Sequence, residues 1–247
     1  MSGVSTLILQ DIGGTAAFSR PVDVATLIVP ATVNGVSLTG ATGTVTNPIT
    51  FANTGPLTLG TAGATLTFGS DLTASTPASI VVNGPIAAGG AIELTAANSL
   101  SQLGSLTTTR GAVALAAGAG GITMASGTTT STSPGPGSIH YTASGPITLA
   151  SLVCGGDVVV ETTAGSIVAL PGQTNVTAGG ALSLAAFGGS VGTAAEPVSV
   201  AIDGNATMNA TGMQDGVSRS PRPGPSALSY RRSRPRWWAR FSGTAST

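Results

Sequence analysis

One short pattern recurs through this chain and limits what it can fold into more than any other feature. A glycine, often followed by proline, opens a run in which apolar side chains alternate with small or polar ones. The runs read GPLTL from Gly55, GATLTF from Gly63, GPIAA from Gly84, GAIEL from Gly90, GAVAL from Gly111 and GITM from Gly121. They continue as GSIHY from Gly137, GPITL from Gly145, GDVVV from Gly156, GSIVAL from Gly165 and GALSL from Gly180. Alternation with period two is the mark of a strand with one buried face. No run sustains the i, i+3, i+4, i+7 spacing of a helix, so helices are expected to be scarce.

Many short strands with turn signals suit a sandwich, a barrel or a solenoid. Three features favour the solenoid. The units are similar without being identical, as the Gly-Pro openings at Gly55, Gly84 and Gly145 show. The apolar positions hold mostly Ala, Val, Ile and Leu, and aromatics make up only 4% of the chain, which suits a narrow interior. Before residue 215, Asn-Gly and Asp-Gly hairpin turns occur only at Asn34, Asn83 and Asp203, few for a chain of this many strands. Gly-Gly pairs at 89–90, 120–121, 155–156, 179–180 and 188–189 are expected at corners, where positive φ or a tight bend is needed. Two to three strands per coil give roughly 20–24 residues per turn. Each coil then buries an apolar column that one repeat could not bury alone.

The expected organisation has three parts. Residues 1–50, with VDVATLIVPATVNGVSLTG still alternating, form irregular first coils; residues 51–215 form the regular repeats; residues 216–247 form an Arg/Pro-rich tail. The formal net charge of zero conceals the last boundary. All nine acidic residues lie at or before Asp215, where only Arg20 and Arg110 offset them, and the other seven arginines follow. Pro221, Pro223, Pro225 and Pro235 remove ladder donors, and arginine cannot enter an apolar column, so the tail is expected to be unstructured. Truncation at Asp215 is therefore expected to leave stability almost unchanged. Arg231, Arg232, Arg234, Arg236 and Arg240 beside Trp237, Trp238 and Tyr230 suit an anionic membrane or nucleic acid. The abrupt loss of rhythm favours a second reading, a displaced frame or truncated gene end, and no specific nucleic-acid partner is expected.

Residues 178–200, AGGALSLAAFGGSVGTAAEPVSV, resemble the haemagglutinin-type repeat of filamentous haemagglutinin-like adhesins and related exported bacterial β-solenoid proteins. The shared pattern is a Gly-Gly strand with alternating Leu, a Gly-Ser-Val-Gly-Thr turn and a Pro-apolar-x-Val strand. Residues 89–127 are similar, and the resemblance spans roughly residues 50–212. It implies an all-β fold, a right-handed parallel β-helix, with export through the outer membrane and a role in surface attachment. It further implies host or surface glycans and proteins as partners, an outer-membrane secretion partner, and a cell-surface location as an autotransporter-like passenger segment. MSGVSTLILQ has no basic start and too short an apolar run for a signal peptide, which is consistent with an internal piece of a longer exported chain.

The search for chemistry returns little, and no catalytic, cofactor or metal residue is assigned. His140, the single histidine, reads as a structural side chain. Cys154 stands alone, which excludes an intrachain disulfide and a thiolate zinc site, and reads as a small apolar filler. Because β-helices also host polysaccharide lyases and hydrolases, the carboxylates matter. Asp157 and Glu161, four residues apart on one strand, would sit about 13 Å apart on the same face. Glycosidase pairs are separated by about 5–9.5 Å. These two and Glu196 are the candidates for the alternative reading, a carbohydrate-active enzyme. Threonine runs at 107–109 and 128–132 are expected to face water, either as plain strand residues or as exposed hydroxyl ladders. Asn175, Asn205 and Asn209 match the glycosylation sequon but carry little meaning in a bacterial chain.

Overall fold

The glycine-led runs become the strands of a parallel β-solenoid. The computed structural model describes residues 4–132 and 135–211, with the backbone of three further strands, Gly216–Arg219, Leu228–Tyr230 and Trp238–Phe241. The expectations for the tail over 216–247 otherwise fall outside the described residues. Among the described residues every element is a strand.

The chain visits three faces in turn. Leu66–Phe68 lies on the first face, Leu72–Ala74 on the second and Ser79–Val82 on the third, and Ile86–Ala88 returns to the first, one strand above Leu66–Phe68. Repetition of this circuit builds sheets of twelve, nine and eight strands on the first, second and third faces. All the named strand pairs are parallel, as a coil that climbs by one strand spacing per turn requires. Residues 4–50 run in the same stack: Val4 pairs with Val24, and Thr15 with Gly35.

Coil length varies more than the rhythm of the sequence predicts. The step from Leu66 to its partner Ile86 is the same as the step from Ile86 to Leu106. The step from Val113 to its partner Ile139 is longer, and the next one, from Ile139 to Val158, is shorter than either. The excess is absorbed at the corners, because the strands themselves must keep their registers.

Inside, alternation turns one side chain in two toward the axis, where like stacks on like. On the third face Leu57, Ile80, Leu100, Ile122, Ile147 and Ile167 form one continuous column, each buried. The second face has its counterpart in Leu72, Ile92, Val113, Ile139, Val158 and Leu182. Burying each such side chain contributes about 1.5–3 kcal/mol. The few aromatics serve as local fillers: Phe51 meets Phe68 edge to face, with centroids 6.5 Å apart.

The corners are where glycine is obligatory, for a different reason from the one expected. Of the five Gly-Gly pairs only Gly121 has a positive φ, of 75°. The others are glycine because adjacent coils touch there. A Cβ on Gly89 would lie 2.2 Å from the Gly69 carbonyl oxygen, backbone against backbone.

Candidate functional site

The solenoid presents its outward side chains as straight columns, one residue per coil, about 4.8 Å apart. On the third face one column runs Ser37, Thr58, Val81, Ser101, Thr123, Thr148. On the first face a column runs Thr67, Ala87, Thr107, Ser131, Val153, Thr177. Neither column contains a charge. Most members are half-buried, because small side chains on a flat sheet shield one another.

From Thr67 onward the described acidic and basic side chains, Glu196 apart, sit on the second face and the corner that leads into it; below Thr67 the first face carries Asp23, in register with Thr44. Glu93, His140 and Glu161 point outward from second-face strands, and Asp71, Arg110, Asp157 and Asp203 lie in the segments between first-face and second-face strands. The aspartates have backbone tasks. Asp71 Oδ1 accepts the Ala91 N–H at 2.8 Å, and Asp157 Oδ1 accepts the Ala181 N–H at 2.7 Å, each from the next coil. Gly90 and Gly180 make room, since a Cβ there would fall 2.0 Å and 2.2 Å from those oxygens. Side-chain carboxylates thus supply coil-to-coil hydrogen bonds where the ladder turns the corner.

The residues singled out in the sequence are dispersed rather than gathered. His140 is exposed on the strand Ile139–Ala143, and its register neighbours are Ala114 and Val159, which offer it neither acid nor nucleophile. Asp157 precedes the strand Val158–Thr162 and turns to the next coil, whereas Glu161 faces outward from that strand. Glu196 lies at another corner, in a turn where its N–H donates to Thr193 Oγ1 at 2.9 Å. Cys154 is buried, and its thiol donates to the Gly156 carbonyl at 3.2 Å. Burial pushes the Cys154 thiol pKa up, away from the reactive thiolate.

The expectation that the threonine runs face water needs correction. Thr108, Thr128, Thr130 and Thr132 are buried, because alternation sends every second residue inward whatever its polarity. Asn175 is buried as well, and its amide is fully engaged. Nδ2 donates to the carbonyls of Leu149, Ala150 and Leu170, and Oδ1 accepts the Ser199 N–H at 2.9 Å. That sequon is therefore structural, while Asn205 and Asn209 are exposed.

The outward columns escaped the sequence reading, which looked for clustered threonines. Their signal is a single hydroxyl or small residue between two apolar ones, as in PLTL, GITM and ITL, repeated once per coil. Among the described residues no group of three or more His, Cys, Asp or Glu side chains is placed to hold a metal ion. Comparison with family models, with curated proteins and with solved structures finds no match for this chain.

Proposed function

We propose that this chain is a structural and adhesive segment of an exported bacterial surface β-solenoid protein, a filamentous haemagglutinin-like stalk that attaches to cells or surfaces. The observation that carries the reading is the pair of long uncharged columns on the first and third faces. A flat hydroxyl-bearing surface without formal charge can exchange water for the hydroxyls of a glycan or the polar groups of a protein at small desolvation cost. Host or surface glycans and proteins are the partners that such faces suit, at the cell surface, with an outer-membrane secretion partner for the full-length protein. The resemblance of residues 89–127 and 178–200 to haemagglutinin-type repeats points the same way. The competing enzymatic reading needs facing carboxylates, and Asp157, Glu161 and Glu196 belong to different corners and faces.

The test is retention of the purified chain on intact cells and on immobilised neutral glycans. Thr58→Glu, Ser101→Glu and Thr123→Glu combined on the third face should lower retention about tenfold, because each adds a charge that contact must desolvate. Glu93→Gln on the second face should leave retention unchanged. Equal effects of the two variants, or surface labelling that finds the gene product only in the cytosol, would remove the proposal.

A further inference from the structure

Most buried polar side chains, such as Asn53, Thr162 and Asn175, bond to nearby backbone, but at one level three of them bond to one another. Gln102 from the third face, Thr130 from the first and Tyr141 from the second are all fully buried, and their polar ends meet on the axis. The Tyr141 hydroxyl donates to Gln102 Oε1 at 2.8 Å, and Gln102 Nε2 donates to Thr130 Oγ1 at 2.9 Å. Thr130 Oγ1 and the Tyr141 hydroxyl lie 2.6 Å apart, and Thr130 Oγ1 also lies 3.2 Å from Gln102 Oε1. With the Tyr141 proton committed to Gln102, Thr130 is the donor to Tyr141. The three groups close a ring in which each donates once.

The position of this ring matters more than its strength. The first-face strand Thr129–Ser131 lies within Thr-Thr-Thr-Ser-Thr at 128–132. Its inward residue, Thr130, stacks between Leu106 below and Leu152 above. No apolar side chain in 128–132 distinguishes inside from outside. Where the hydrophobic pattern is silent, register is weakly specified and strands slip. The problem arises within the long coil that runs from Val113 to its register partner Ile139, where chain length offers no guide.

We propose that Gln102, Thr130 and Tyr141 are a register pin, which fixes by hydrogen bonds the one strand whose hydrocarbon pattern cannot. The neighbouring threonines support this division of labour. Thr128 Oγ1 donates to the Ala125 carbonyl at 2.7 Å and Thr132 Oγ1 to the Gly137 carbonyl at 2.9 Å, so each has its own partner and only Thr130 completes the ring. Buried polar groups are known to set register in other folds at some cost in stability.

Disulfide reporters read the register directly. In a Cys154→Ala background, Thr107→Cys with Ser131→Cys reports the native pairing, since these residues are outward register partners. Thr107→Cys with Thr129→Cys reports a slip of two positions, which preserves the inward and outward alternation. Gln102→Leu with Tyr141→Phe removes both partners of Thr130 and should raise the slipped cross-link about tenfold relative to the native one. Adding Thr130→Val should return it to baseline, because valine marks the inward position with hydrocarbon. A folded double variant that still forms only the native cross-link would overturn the proposal. So would failure of Thr130→Val to restore it. If the double variant loses its β-sheet circular dichroism, Tyr141→Phe alone is read in the same reporters, and no increase in the slipped cross-link overturns the pin.

Discussion

The third-face column from Leu57 to Ile167 and the first-face strand Thr129–Ser131 share one kind of backbone ladder but hold their neighbours by opposite means. In the column, every inward residue is Leu or Ile, and any slip by one position would turn the whole set to solvent. Stability and register come from the same atoms. In the polar strand, a slip exchanges one hydroxyl for another, so hydrocarbon contributes stability above and below while hydrogen bonds supply the register. A solenoid can therefore tolerate a strand with no apolar side chain, provided that something directional marks its place.

The largest effect should come from breaking the hydrocarbon side of this comparison. Leu100→Ala opens a cavity between Ile80 and Ile122 in a rigid stack and should cost about 3 kcal/mol, read as a lower urea midpoint with unchanged slope. Gly84→Ala tests the corners that set the stacking. Its Cβ would fall 2.0 Å from the Thr61 carbonyl oxygen, which is backbone and cannot swing aside. A loss of about 2 kcal/mol is expected, and a neutral result would mean that the coils can spread there.

Tyr141→Phe probes the polar side and should cost about 1 kcal/mol at neutral pH, because Thr130 and Gln102 still bond each other. It also carries a pH signature. Burial raises the Tyr141 pKa, so the folded state keeps its proton while the unfolded chain releases it above the ordinary phenol value of about 10. The contribution of Tyr141 is thus fully present below that pH and is lost as pH climbs above it. Urea midpoints at pH 8 and 11 should fall farther for the wild type than for Tyr141→Phe. The smallest effect is expected at the solvated corner: Asp157→Ala removes the acceptor of the Ala181 N–H and should cost under about 1 kcal/mol, since water can replace it.

Much of this is legible in the sequence, and the failures have physical causes. Period-two alternation after glycine identifies strands such as Ile92–Ala96 and Val158–Thr162, because side-chain direction in a strand follows from the backbone alone. The same rule sends Thr108 and Thr130 inward, although their polarity suggests water. A buried hydroxyl needs a partner, and the partners of Thr130, Gln102 and Tyr141, lie 28 and 11 residues away. The Gly-Gly pairs do mark corners, but torsion is the wrong explanation for most of them: they are glycine because a neighbouring coil comes too close. Asp157 and Glu161 look comparable along the chain, and only the next coil distinguishes them, by offering Asp157 an N–H.

By itself the sequence determined the class of fold: glycine punctuation, two-residue alternation and small apolar side chains leave a narrow parallel β-coil as the arrangement that buries every inward residue. The tertiary structure alone decided which coil sits on which, how residues far apart in the chain line up into uncharged columns, and where the polar ring closes. Those relations depend on corner length, which ranges freely along the chain and is settled only when hydrogen bonds from one coil meet the next.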